Sequence, residues 1–247
     1  NFHEFQTSAF KSPHELFSPE PVSAEAEAGC RAENAALLKS LLLTGGDRSS
    51  AAADFIAMRE ARRAKTSEKE LARENFKERT EGSAEYVGLL ASALPCGQDG
   101  DKACAVPHIL RDSLFLTELF DNGTNFYLSG MLQMAVLDSL RIPWRNRLAA
   151  GETIYAIFND YFRPGGKSVS ETRESYGYSG ILARVIEARE RAARMDAASE
   201  ENIMAGAFVV ITAPAGARRA SGPQSHGEAR SLADGRTFYT SAKLEVS

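Results

Sequence analysis

The sequence predicts a mainly α-helical protein that carries a small β element near its C-terminal end. Segments rich in Ala, Glu and Leu dominate residues 23–200, and Gly or Pro clusters separate them, as expected for successive helices. Residues 206–214 and 236–246 are instead rich in β-branched and aromatic residues, which is typical of strands. We therefore expect a helical domain over 1–200 and a small β-strand element over 201–247.

The helices in the first half of the chain can be placed from their caps and breaks. The aromatic spacing of the first ten residues favours a short helix, and residues 23–43 predict a longer one that the pair Gly45-Gly46 ends. Ser49 or Ser50 would cap the next helix, which runs to about residue 64. A third helix, to about residue 94, would begin at Thr66 or Ser67, with Glu70 completing a capping box.

Further helices are predicted over 107–120, 124–141, 151–162 and 175–200, with a turn at Pro143-Trp144. The charged run over 60–81 lies on the third helix and the end of the second, and we expect most of it to form a solvated face. No internal repeat is visible.

Composition limits the class of protein. The 247 residues are 43% hydrophobic and 25% charged, with a net charge of −4, which is the balance of an ordinary globular chain. This balance excludes a disordered chain, a collagen-like repeat and a disulfide-dense mini-protein. The charge gives no attraction to nucleic acid, and no apolar run approaches the ~20 residues of a transmembrane segment. The sequence does not indicate an oligomeric state.

The three cysteines leave two alternatives open. Cys96 and Cys104 flank a short polar loop and could close a local disulfide in an exported protein, with Cys30 unpaired. Alternatively, all three are reduced thiols without a role. No CxxC pair is present, so a cysteine-based zinc site is not expected.

A histidine-glutamate pair near the start of the chain resembles part of a zinc-peptidase helix. In the HExxH motif two His one turn apart bind zinc, and the Glu polarises a water molecule. Read from His3 the motif fails, because Thr7 stands in the place of the second His, and His14-Glu15 fails in the same way. In another register His3 is itself the second His, and we expect the first His and the Glu immediately before Asn1. The segment FHEFQ then resembles the HExFHxFQ helix of bacterial zinc-peptidase-like proteins.

The segment EGSAEY, from Glu81 to Tyr86, resembles the EGxAxY segment of gluzincin metallopeptidases. The resemblance implies that Glu81 is the third zinc ligand, and the small Gly82 and Ala84 would let the HExxH helix approach closely. Glu78, one turn earlier, would orient a ligand or be the ligand itself. Glu85, one turn later, is the weaker candidate for orienting a ligand.

The order of the following segments extends the resemblance to roughly residues 1–160. The run from Asn125 to Gly130, the Leu137-Asp138 pair and Trp144 follow in the same order in gluzincin-like proteins. The resemblance implies a metallopeptidase-like fold and a secreted or cell-envelope location; otherwise the chain would be a soluble cytoplasmic protein.

The implied function is a zinc-dependent hydrolase in which the metal activates water against a peptide carbonyl of a peptide or protein substrate. Zinc would be held by His3, Glu81 and the upstream His, and Tyr127 or His108 could donate a hydrogen bond to the developing oxyanion. Without the upstream residues this chain would be inactive. Two alternatives remain: a helical binding or scaffold domain that kept the fold and lost the metal, and a plain helical interaction domain in which His3 and Glu81 lie far apart.

Overall fold

The computed structural model describes residues 22–93, 126–164, 166–204, 229–231 and 237–239. This part of the chain is mainly helical, as predicted. Eight helices and two short strands occur in it: α1 (Ala24–Leu42), α2 (Gly45–Arg63), α3 (Glu68–Ala93), α4 (Phe126–Ser139), α5 (Arg145–Ala149), α6 (Ile154–Tyr161), α7 (Val169–Glu174), α8 (Tyr178–Met204), β1 (Ala229–Ser231) and β2 (Thr237–Tyr239).

Helices α1 and α2 form a tight antiparallel hairpin. The Ser23 hydroxyl caps α1 by accepting a hydrogen bond from the Ala26 amide. Gly45 adopts a φ of +57°, a backbone conformation that glycine reaches without strain, and it begins α2. The glycine pair therefore starts the second helix rather than ending the first. The predicted caps Ser49 and Ser50 are wrong, because both residues lie inside α2.

Helix α3 begins with the predicted capping box. The Glu70 amide donates to the Ser67 hydroxyl over 3.3 Å, and the Ser67 amide donates to the Glu70 carboxylate over 3.2 Å. These reciprocal hydrogen bonds satisfy two amides that have no partner within the helix. The helix then continues for 26 residues to Ala93.

Helices α3 and α4 run in the same direction and touch through their backbones. Lys77 meets Tyr127 near the start of α4, Gly82 meets Gly130, and Tyr86 donates to Asp138 near the end of α4. A Cβ atom built on Gly130 would lie only 2.5 Å from the Glu78 carbonyl oxygen, so this crossing requires glycine.

The core lies where α1, α2, α3 and α4 meet, and α6 packs against it. Large side chains fully buried there include Leu37, Phe55, Leu132 and Phe158. Asp138 joins three elements, because it also accepts hydrogen bonds from the Trp144 indole and the Arg145 guanidinium.

The second half of the described chain adds two helices that the sequence did not predict. The predicted turn at Pro143-Trp144 is followed directly by α5, and α7 begins at a capping box between Ser168 and Glu171. Helix α8 matches the helix predicted over 175–200. No helix in the described ranges combines the length and apolar character that a bilayer span requires.

The chain divides into two compact units between Ile186 and Glu187. In the second unit β1 pairs antiparallel with β2, with Arg230 opposite Phe238. Strand β2 falls within the strand predicted over 236–246. The strand predicted over 206–214, the helices predicted over 1–10 and 107–120, and Cys96 and Cys104 lie outside the described residues.

Candidate functional site

Helix α3 carries two acidic stripes. Glu74 and Glu78, which we call the inner stripe, lie one turn apart, and both side chains are buried. Glu81 and Glu85, the outer stripe, also lie one turn apart and on nearly the same side of the helix, but both residues are partly exposed. The two stripes have different surroundings and therefore different chemistry.

The inner stripe is neutralised by arginines from α2. Arg59 is fully buried; its Nε donates to Glu74 over 3.0 Å, and its guanidinium also pairs with Glu78. Arg63 donates to the Glu74 carboxylate over 2.8 Å. A buried charge is tolerated only when it is paired and hydrogen-bonded, and these contacts meet that requirement for Glu74.

Arg62 extends the network to α1. It donates to Glu33 over 2.6 and 3.0 Å and to Glu74 over 2.7 Å. The prediction that the charged run is a solvated face is therefore wrong at Arg62, Glu74 and Glu78. The physical reason is pairing across helices, which stabilises these charges in the interior.

The network separates the pKa values of its two α3 carboxyls. Burial alone would raise the pKa of Glu74, but the Arg59 and Arg62 guanidiniums outweigh it and hold this pKa well below its usual range. Burial raises the pKa of Glu78, because Arg59 only partly compensates and the neighbouring Glu74 charge adds to the effect. Glu78 is thus the group in the network that burial favours in its neutral form.

The hydrogen bonds that Glu78 accepts from Ser129 and Arg59 lower its pKa, but burial outweighs them. Its Oε1 atom accepts from Arg59, from the Ser129 hydroxyl and from the Gln133 amide, whereas its buried Oε2 atom has no partner. Buried atoms without a partner also occur on Asn34 and on Gln133 itself. A neutral carboxyl leaves no charge uncompensated on the unpartnered oxygen.

In the described ranges the carboxylates of the outer stripe are not paired with a counter-charge, although Lys77 lies one turn before Glu81. The carboxylates of Glu81 and Glu85 make no hydrogen bond or ion pair with any residue in the described ranges. Like charges one helical turn apart repel each other. A cation bound between or beside them would remove this repulsion.

Gly82 allows close helix packing, and the helix that packs there is α4; the segment predicted to form the HExxH helix lies outside the described residues. A Cβ atom on Gly82 would lie 2.8 Å from the Gly130 Cα. Ala84 is partly exposed on the side of the outer stripe. His3 and His108 lie outside the described residues.

Tyr127 lies at the start of α4, opposite α3. The Lys77 ammonium donates to the Tyr127 hydroxyl over 3.0 Å and also lies 5.0 Å from the centre of its ring. Lys77 precedes Glu81 by one turn and so shares the outer stripe with it. The sequence singled out Tyr127 but gave no signal for Lys77, because a lysine in a charged run has no distinguishing context.

Cys30 lines a cavity of about 210 Å³ near the beginnings of α1, α3 and α4. Burial raises the pKa of this thiol to about 12. The thiol is therefore protonated at neutral pH, and neither nucleophilic attack nor metal binding is expected of it.

The acidic side chains of α3 differ in whether their carboxylate oxygens are available to a metal ion. In the part of the chain that the structure describes, no group of three or more His, Cys, Asp or Glu side chains is arranged to hold a metal ion. Glu74 is fully engaged by arginines and Glu78 shares its one charge partner with Glu74. Glu81 and Glu85 keep free carboxylate oxygens, the donor type that zinc accepts beside histidine.

No protein-family model matches the chain, and no curated protein and no solved structure matches it either.

Proposed function

We propose that the chain is a zinc-dependent peptidase-like hydrolase domain in which Glu81 is a metal ligand. The observation that carries the proposal is the unpartnered Glu81 carboxylate on a helix whose other central acids are neutralised by arginine. The resemblance of EGSAEY to the gluzincin segment supports the same residue. The other ligands would be His3 and the His expected before Asn1.

The arginine network supports this role by fixing the helix that carries Glu81. Glu74 and Glu78 tie α3 to α2, and the Gly82–Gly130 contact ties it to α4. A ligand held on a rigid element loses less conformational entropy when the metal binds, because its backbone is already fixed. Glu78 would therefore act by holding α3, and Glu85 would orient a ligand from the outer stripe.

The chemistry divides between the metal and the chain. Bound zinc would lower the pKa of water and polarise the carbonyl of a peptide or protein substrate. The expected upstream Glu would take the proton of the attacking water. Tyr127 would donate its hydroxyl proton in a hydrogen bond to the oxygen on which negative charge develops.

The test is zinc content and hydrolysis in the full-length protein. After dialysis we expect about one zinc per chain by elemental analysis, and cleavage of fluorescein-labelled casein. Glu81→Gln should lose zinc at least tenfold more readily, since an amide is a poorer ligand. Glu60→Gln, on the exposed side of α2, is the matched control and should keep both properties.

Two results would contradict the proposal. If Glu81→Gln retains zinc as the unsubstituted protein does, Glu81 is not a ligand. If the full-length protein binds no zinc and leaves casein intact, the helical scaffold that lost the metal becomes the better interpretation.

A further inference from the structure

The Lys77–Tyr127 pair has a defined hydrogen-bond direction. A lysine ammonium has only donors, so the 3.0 Å contact uses the Tyr127 oxygen as acceptor. The phenol proton is not consumed by this bond. Tyr127 makes no other hydrogen bond with the residues that the structure describes, so its proton is available to a further acceptor.

The ammonium also changes the phenol as a donor. A hydrogen bond accepted by the phenol oxygen polarises its O–H bond, and hydrogen bonds in such a chain strengthen one another. The ammonium 5.0 Å from the ring centre holds the ring against α3. Lys77 thus fixes both the position of the phenol and the direction in which it donates.

The pair lies beside the proposed metal ligand. Lys77 and Glu81 are one turn apart on α3, so their Cβ atoms are about 5–6 Å apart. Tyr127 reaches the same stripe from α4, across the seam that Gly82 and Gly130 hold closed. Residues from two helices therefore meet at the outer stripe.

We propose that Lys77 is a positioning residue, which orients and polarises the Tyr127 hydroxyl so that it donates to the substrate oxygen on the Glu81 stripe. This inference rests on the proposed function and adds a residue to it. Lys77 acts through Tyr127 and does not itself touch the substrate.

The test is a double-mutant cycle that measures casein hydrolysis by the full-length protein. Tyr127→Phe should lower kcat by about 100-fold, as the loss of one oxyanion donor does. Lys77→Met should lower kcat about tenfold with KM unchanged, and Lys77→Arg should restore it to within about threefold, because a guanidinium also donates. The double variant should be no slower than Tyr127→Phe, since Lys77 acts only through the phenol.

A measurement independent of activity accompanies the cycle. In protein labelled with [13Cζ]tyrosine, the Tyr127 resonance, assigned by its loss in Tyr127→Phe, should shift in Lys77→Met and return in Lys77→Arg. Lys39→Met is the matched control, because Lys39 makes a similar contact with the Tyr176 ring, 5.1 Å from its centre. It should leave the Tyr127 resonance, kcat and zinc content unchanged.

The outcomes separate this inference from the proposed function. If zinc binds and casein is cleaved, but Lys77→Met raises only KM or adds fully to Tyr127→Phe, the positioning role is overturned and the hydrolase remains. An unchanged Tyr127 resonance in Lys77→Met overturns it as well. If the unsubstituted protein neither binds zinc nor cleaves casein, the proposed function fails and takes this inference with it.

Discussion

Arg59 keeps a full charge in the interior because acidic and aromatic side chains surround its guanidinium, although its Nη1 atom has no hydrogen-bond partner. Glu74 and Glu78 accept hydrogen bonds from its guanidinium. The ring centres of Phe55 and Tyr155 lie 5.2 and 5.1 Å from its Cζ atom. Removing one member of a buried ion pair typically costs about 3–5 kcal/mol, because the remaining charge loses its partner. The network therefore fixes the register of α2 against α3.

The Glu78 carboxyl gives a prediction about pH. A carboxyl whose pKa is higher in the folded state stabilises the fold below its unfolded pKa, and this stability is lost as pH rises through the folded pKa. Glu78→Gln resembles the neutral carboxyl and removes this loss. We expect the two proteins to have similar free energies of unfolding near pH 4. Towards pH 8 the free energy of unfolding of the variant should increase relative to that of the unsubstituted protein. Urea denaturation across this range measures the difference, about 1.4 kcal/mol for each unit by which the pKa is raised.

The control for this experiment is Glu68→Gln, which removes an exposed carboxylate from the same helix. Subtracting the effect of Glu68→Gln on the free energy of unfolding corrects for the change in net charge. If the unsubstituted protein instead became more stable than Glu78→Gln as the pH rises, Arg59 would be holding Glu78 in its ionised form.

The inner network could not be placed from the sequence, although its pattern is visible in retrospect. Arg59, Arg62 and Arg63 share one helical face, and Glu74 and Glu78 share another. Such stripes are equally typical of solvated helices. Burial was decided by which helices meet, and long-range pairing of that kind leaves no local signal. The motif around Glu81 is local, so the sequence could suggest that residue as a candidate ligand without showing its surroundings.

At the scale of the helices, the α3–α4 contact gives a prediction with an internal control. A Cβ atom on Gly130 would lie 2.5 Å from the Glu78 carbonyl oxygen and 2.9 Å from its Cα, which are backbone atoms that cannot rotate away. Gly130→Ala must therefore separate the helices, at a cost of about 1–3 kcal/mol in the free energy of unfolding.

The control lies two turns beyond Glu81 on the same helix. A Cβ atom on Gly88 meets no neighbour within 4 Å, so Gly88→Ala should stabilise the protein by up to about 1 kcal/mol through helix propensity. Chemical denaturation of both variants tests the pair. Equal effects of the two substitutions would show that α3 and α4 are not in backbone contact.

The start of α3 was predicted from its side chains, whereas the start of α2, which depends on the backbone, was missed, and α7 was missed although it begins at a capping box. Ser67 and Glu70 form the capping box that their spacing predicted, because the box is complete within four residues. The start of α2 depends instead on the positive φ of Gly45, and Thr44 makes no side-chain cap. A glycine pair is compatible with ending one helix or starting another, and only the packed hairpin decides between them.

Across the whole molecule, burial is distributed unequally among the helices. Helices α1 to α4 bury apolar and charged side chains together, whereas in α8 the side chains from Ile186 to Ala198 are all exposed. That stretch contains the exposed ion pairs Glu187–Arg191 and Glu190–Arg194, whose members lie one turn apart. Each such pair stabilises a helix by about 0.3–0.5 kcal/mol. Its local stability therefore depends on helix propensity and these exposed pairs.

Amide hydrogen exchange should separate these regions. Amides in α1 and α4 are expected to exchange only through global unfolding, with protection that falls in parallel with the global free energy when Gly130→Ala is introduced. Amides of 187–198 should exchange orders of magnitude faster and show no response to that substitution, because an isolated helix of this length is marginal in water. Mass spectrometry of peptic peptides measures both regions in one sample. Slow exchange in 187–198 that follows Gly130→Ala would contradict this division, since it would require that stretch to unfold together with the bundle.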